Sequence, residues 1–301
     1  MTPCLHAGPK RSFRPVPQRT DLPPQHHPEN RRVVSDVWLV FARWRVTLPE
    51  RDAAEPVVTR ADRQTFVVSL RQRGVRPVSC NCYMRGINAF CKWLHQQGTI
   101  PAPIRLSPQR LEKRLLPTHD ERTLRALLSF RPKTFVHRRV HAIACTILDT
   151  GCRIDELLTA RVSDFDFDNL LLTVVGKGRK QRKAPMSVEL RRLLFRFGQF
   201  EARKGITSEL MFPSRDRGKW EHCNARRSYY AFLRRLGLRQ SGFHLLRHTF
   251  ATQYLRAGAD VVRLSIILGH SEISTTMKYL HLLTDDLQRP HQGLSILNRL
   301  R

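Results

Sequence analysis

The chain has no run of about 18 consecutive apolar residues, the length a helix needs to cross a bilayer, so neither a membrane span nor a membrane partner is expected. Its first residues carry no apolar core of the secretory type and no signal-peptide pattern. Cysteine offers no framework. Seven are present, an odd number, and none falls at Cys-x-x-Cys spacing. Cys80-Asn81-Cys82 is too close for a zinc knuckle, so Cys4, Cys80, Cys82, Cys91, Cys145, Cys152 and Cys223 read as reduced, mostly buried thiols. No internal repeat is visible. Carboxylates are scarce as well: 25 Asp and Glu stand against 53 Lys and Arg, a net charge of +28 over 301 residues. That excess goes far beyond the needs of solubility. It draws a polyanion and releases its counterions on binding, so a polyanion, of which double-stranded DNA is one, is the expected partner.

What is present falls into segments. Residues 1–32 hold seven of the 18 prolines and no apolar periodicity, and read as a disordered basic arm. Residues 33–100 turn helical: Val37, Val40, Phe41 and Trp44 recur at helical spacing, Thr59 with Asp62 resembles a capping box before Phe66, Val67 and Leu70, and Met84, Ile87, Phe90, Trp93 and Leu94 line adjoining faces. The Pro-rich basic stretch 101–117 reads as a linker. A second unit, 118–282, opens with Thr118 and Glu121 as a capping-box pair, and helical patterns cover about 120–130, 136–149, 187–203, 224–236, 243–257, 260–268 and 274–282. Between them, Asp164 to Asn169 is turn-rich. Leu170–Val175 and Gln181–Met186 read as the two strands of one small antiparallel β-hairpin. The expected architecture is mainly α with that hairpin, in two domains. Residues 33–116 hold 14 basic and 6 acidic side chains and 117–301 hold 33 and 17, so both portions are basic, as a clamp closing on DNA from two sides needs.

Three clusters carry chemistry. Arg153 follows Gly151-Cys152 at the start of a short helix, and a guanidinium can grip two phosphate oxygens while staying charged. A surface ion pair with Asp155 or Glu156 is the plainer reading of Arg153 alone, and Glu156 is placed to buttress rather than react. His244 and Arg247 lie three apart on one helix face and can reach a single anion. His244 and His248 also have the spacing of a metal pair. The zinc motif, however, puts Glu directly after the first His, where Leu245 stands, so a buried hydrogen bond is the better role for His248. Leu268-Gly269-His270 breaks a helix and presents His270 at the turn, and Tyr279 follows nine residues later in an amphipathic helix. Taken by itself, such a tyrosine is an ordinary core residue. The basic run Gly176-Lys177-Gly178-Arg179-Lys180-Gln181-Arg182-Lys183 forms the hairpin tip, either a solvated face or a finger into a DNA groove.

Taken in order, Arg153, His244-x-x-Arg247, Gly269-His270 and Tyr279 resemble the tyrosine recombinase (phage integrase) family, including Xer-like site-specific recombinases. The resemblance covers about 117–282 with specific motifs; the preceding helical module matches only in kind, as a core-binding DNA module. It implies that Tyr279 attacks the scissile phosphate to form a 3′-phosphotyrosyl bond. Arg153 and Arg247 would hold the oxygens, His244 and His270 would hydrogen-bond them or move protons, and Lys177, with Lys180 as the alternative, would protonate the leaving 5′ oxygen. No metal and no cofactor are implied. Strand exchange through a Holliday junction by a homo-tetramer on paired sites follows, in an integrase- or transposase-type reaction serving a mobile element. A related recombinase or a DNA-bending protein is the accessory partner, and the cytoplasm, at the nucleoid, is the location. The tail 283–301, with Leu287, Leu294, Ile296, Leu297 and Leu300, either docks on a neighbouring subunit or packs on its own domain.

Three rivals fit less well. A type IB topoisomerase shares the constellation but reseals the same strand, and the Gly-His motif and leading helical module favour the recombinase. A non-catalytic DNA-binding descendant would have lost one of the six polar groups more readily. A metal-dependent transposase needs clustered carboxylates, and Asp164, Asp166 and Asp168 sit in a turn without a distant partner.

Overall fold

The computed structural model describes Val37 and residues 39–44, 59–98, 100, 102–103, 105–110, 117–176 and 181–280. The arm 1–32, part of the stretch 101–117, Lys177, Lys180 and the tail 283–301 lie outside the described residues. The chain divides into two compact units, Met1–Lys113 and Arg114–Arg301.

In the first unit, Thr59 opens α1 (Arg60–Gln72) with a reciprocal cap. The Asp62 amide donates to Thr59 Oγ1 at 3.1 Å and the Thr59 amide donates to Asp62 Oδ2 at 2.9 Å, satisfying two of the donors a helix start leaves over. Helix α2 (Pro77–Gln96) begins on a proline, whose fixed φ suits the first helical position. Phe41, Phe66, Ile87 and Phe90 form a buried core, with Phe41 and Phe66 edge to face. The segment read as linker is tied down at two points. Asn81 and Asn88, one above the other on α2, each pair both ways with a passing backbone: Asn81 with Gln109 at 2.8 and 2.9 Å, Asn88 with Leu106 at 2.9 and 3.0 Å. Leu106 is buried in the same core.

The second unit is built around α4 (Phe135–Thr150), buried on nearly all sides, which follows α3 (Glu121–Ser129) and packs against α6 (Val188–Arg203), α7 (His222–Arg235) and α8 (Phe243–Arg256). The α4 stretch Val140–Ile147, apolar but for His141 and Thr146, is buried on every face and sits in the middle of the core. The expected Thr118–Glu121 box is not what opens α3. Asp120 is the N-cap, its carboxylate accepting from the Thr123 amide at 2.7 Å; aspartate is among the strongest capping residues and stands one step before the first helical residue. A short α5 (Ile154–Thr159) leads to a small antiparallel sheet of order β1-β2-β3. The hairpin expected from the sequence is β2 (Leu171–Val175) and β3 (Gln181–Pro185), in register Leu172 opposite Ala184. The turn-rich aspartate segment adds a two-residue strand, β1 (Phe165–Asp166), because buried Phe165 pairs with Leu172. Helices α9 (Val261–Leu268) and α10 (Ile273–Leu280) close the unit. Among the described residues no helix is long and apolar enough to cross a membrane.

Candidate active site

Helix α4 ends at Gly151, whose φ of +66° is the left-handed conformation and whose amide closes the helix on Ile147 O at 2.9 Å. A Cβ there would sit 2.4 Å from Phe250 Cδ1, so only glycine fits. The tight exit places Arg153 at the start of α5, where its backbone amide donates to Glu156 Oε2 at 2.7 Å and Nη1 donates to Oε1 at 3.1 Å. Glu156 also receives both terminal nitrogens of Arg182 at 2.8 Å, and Arg182 Nε donates to Ile267 O at 2.8 Å. The Arg182 and Glu156 side chains are only 9% and 7% exposed. Burial works to raise the Glu156 carboxyl, yet the hydrogen bonds from Arg182 and the Arg153 amide outweigh it and hold it below its ordinary value.

Arg247 is 2% exposed and spends its donors on two helix ends. Nη1 reaches Gly151 O at 2.6 Å and Nη2 reaches Leu268 O at 2.8 Å, with His270 Nε2 at 3.2 Å from the same Nη2. Burial, then Arg153, brings the guanidinium down to about 10, which leaves it charged at neutral pH. Because arginine only donates, His270 Nε2 is an acceptor, and Nδ1 therefore carries the proton it gives to Thr276 Oγ1 at 2.7 Å. The turn presenting His270 is set by Gly269 at φ +64°, where a Cβ would lie 2.8 Å from Arg182 Cδ.

Tyr279 is 3% exposed, and its Oη lies 2.8 Å from His248 Nδ1. Burial raises the phenol, against the pull of Arg247 and Arg153. Exposed His244 lies at a cavity of about 340 Å³ that it shares with Arg153, Arg247, His222 and Arg226. Its imidazole is lowered by loss of solvent and then by Arg247 and Arg153. The fold thus brings Arg153, His244, Arg247, His270 and Tyr279 into one region, while Lys177 lies outside the described residues. Arg182 was read only as part of a solvated or groove-reaching tip, but it turns inward. The signal was available, since a two-residue period places Arg182 on the face of buried Ala184. The Thr276 partner of His270 was missed outright.

A stability consequence follows. Burial first, and then neighbouring cationic groups, brings both His248 and His270 down to about 4 from 6.5. They are neutral when folded, and the unfolded chain binds the extra protons. Folding stability is therefore full above pH 6.5 and falls as pH drops toward about 4. Denaturant melts at pH 7 and pH 5 should show the loss, and equal midpoints would contradict it.

The phage integrase family profile matches residues 118–285, more than half of the chain, and the chain belongs to that family, the tyrosine recombinases, which cleave and rejoin DNA. Among curated proteins it is similar to tyrosine recombinase XerD of Proteus mirabilis, 29% identical over 247 residues that cover 78% of each protein. It is also similar to tyrosine recombinase XerA of Thermococcus kodakarensis, 28% identical over 244 residues covering 78% of this chain and 82% of that one. Among solved structures, XerH recombinase bound to palindromic difH substrate in a post-cleavage complex aligns with a TM-score of 0.70 at 17% identity, over 89% of this chain and 80% of the other. The Tn1549 transposon integrase in complex with transposon right-end DNA aligns with a TM-score of 0.69 at 19% identity, over 90% and 94%. At these identities the structural likeness is one of fold.

Proposed function

We propose that the protein is a site-specific recombinase that cuts one strand at a time by attack of Tyr279 on a scissile phosphate, leaving a 3′-phosphotyrosyl bond and a free 5′-hydroxyl. Arg153 and Arg247 hold the non-bridging oxygens, His244 hydrogen-bonds them, His270 steadies Arg247 through Nε2, and Lys177 protonates the leaving oxygen. The bond energy stays in the covalent link, so a second 5′-hydroxyl reverses the attack without ATP. Preorganised cations are worth most at the phosphorane, where charge develops. The observation that carries this reading is the convergence of Arg247, His270 and Tyr279 on α8, with Arg247 held by two carbonyls and Tyr279 held by His248.

The first unit serves as the core-binding module and contacts duplex DNA along with the catalytic unit, and two sites are paired by a tetramer, with the tail joining neighbouring subunits. The enzyme works in the cytoplasm on nucleoid DNA. Strand cleavage should proceed in excess EDTA, because guanidinium groups do the work of cations at the phosphate. The test is to incubate the protein with a library of host DNA fragments in EDTA, denature, and identify DNA attached to the Tyr279 peptide. Attachment that needs added magnesium or zinc would overturn the metal-independent reading.

A further inference from the structure

The reaction needs a group to receive the tyrosine proton, and the geometry places one candidate on that oxygen. His270 has both nitrogens engaged, Nε2 with Arg247 and Nδ1 with Thr276. His244 is exposed at the cavity that Arg153 and Arg247 also line. His248, one turn along α8 from His244, has Nδ1 at 2.8 Å from Tyr279 Oη. Its ring packs tilted against the tyrosine ring at 5.6 Å and edge-on to His244 at 4.4 Å, so its orientation is fixed from two sides.

We propose that His248 is a catalytic residue: its Nδ1 takes the proton from Tyr279 Oη as that oxygen bonds to phosphorus, and gives it back when the phosphotyrosyl bond is broken. This rests on Tyr279 being the nucleophile. In the forward step the O–H bond breaks, an N–H bond forms on His248, and the Oη–P bond forms as the P–O5′ bond breaks. The leaving oxygen takes its proton from a separate acid. In the return step a 5′-hydroxyl attacks phosphorus and surrenders its proton to that acid's conjugate base, while the departing phenolate recovers the proton on His248.

The groups acting on His248 are His244 and Arg247 from its own helix and His270 from the turn after α9, together with the Tyr279 phenol from α10. Burial first, and then His244, Arg247 and His270, keep the resting imidazole neutral, and in its Nε2–H tautomer Nδ1 accepts from the phenol across the 2.8 Å contact. An arriving phosphate offsets the Arg247 charge, and the phenol becomes more acidic as its bond to phosphorus forms. Both changes favour transfer at the moment of attack.

The decisive variant is His248→Asn, whose side-chain amide stands where Nδ1 stands and can still hydrogen-bond the phenol, but cannot carry its proton. DNA binding and thermal melting should match the wild type, while formation of the covalent adduct slows by about 100-fold or more, within the range general-base catalysis supplies. The residual rate should climb with pH, because the proton must then leave to water. The deficit should persist on a substrate with sulfur in the 5′-bridging position, whose thiolate leaves without a proton. A His248→Asn rate within about threefold of wild type, or full recovery on the sulfur substrate, would overturn the proposal. If the Asn variant fails to bind DNA, His248→Ala with added imidazole decides: recovery proportional to free-base imidazole supports the assignment and its absence refutes it. A Tyr279→Phe control run alongside separates the two readings. An adduct in that control removes the nucleophile itself, whereas a dead control beside a normal His248→Asn removes only the base.

Discussion

Tyr279→Phe should bind its DNA site as tightly as wild type and form no covalent adduct on a nicked substrate from which the 5′ fragment escapes. The ring is 3% exposed and packs against His248, so removing one oxygen leaves the packing in place and removes only the proposed nucleophile. The orphaned His248 Nδ1 loses its partner at 2.8 Å, a modest cost of about 1 kcal/mol that melting would register separately from chemistry. Gel-resolved adduct is the measurement. An adduct that survives would move the nucleophile elsewhere.

The second large effect is expected at Arg182→Ala. Its guanidinium matches both carboxylate oxygens of Glu156 in a fork, and truncation leaves that buried carboxylate without its main partner. Breaking one side of such a pair costs about 3–5 kcal/mol, a large share of a domain's whole stability. Replacing both members, Arg182→Met with Glu156→Leu, should recover most of the stability, since an apolar pair carries no desolvation cost. It should not recover cleavage. Arg153 would have lost the carboxylate that holds its backbone amide and Nη1, and the Gly269 turn before His270 would have lost the side chain it packs on. Recovery of full cleavage by the double variant would show that Arg182 only stabilises.

Much of this was legible in the chain, and the reason is local. The Thr59–Asp62 cap, the glycine stop before His270 and the β2–β3 hairpin depend on residues a few positions apart, where periodicity and capping chemistry act directly. The candidate residues Arg153, His244, Arg247, His270 and Tyr279, which the fold gathers in one region, were picked out through the order of their motifs. What was hidden is long-range. Arg247 meets Gly151 across 96 positions and Arg182 meets Ile267 across 85, and neither partnership leaves a mark on local pattern. β1 was hidden for a different reason: two residues are too short for alternation to show, and the aspartates in and around it carry the turn chemistry that was read instead. Asp166 indeed accepts from the Asn169 amide at 2.9 Å.

The two carbonyls that hold Arg247 have one further effect. Gly151 caps the C-terminus of α4, and Leu268 is the last residue of α9, so the guanidinium lies across the negative poles of two helices, each equivalent to roughly half an electron. A phosphate arriving at this arginine would meet a cation already partly neutralised by peptide dipoles. Exchange of one phosphodiester for another is nearly balanced in energy, and a catalyst of such an exchange gains nothing from a deep electrostatic well on either side. By flattening that well, the two helix ends favour passage in both directions over capture.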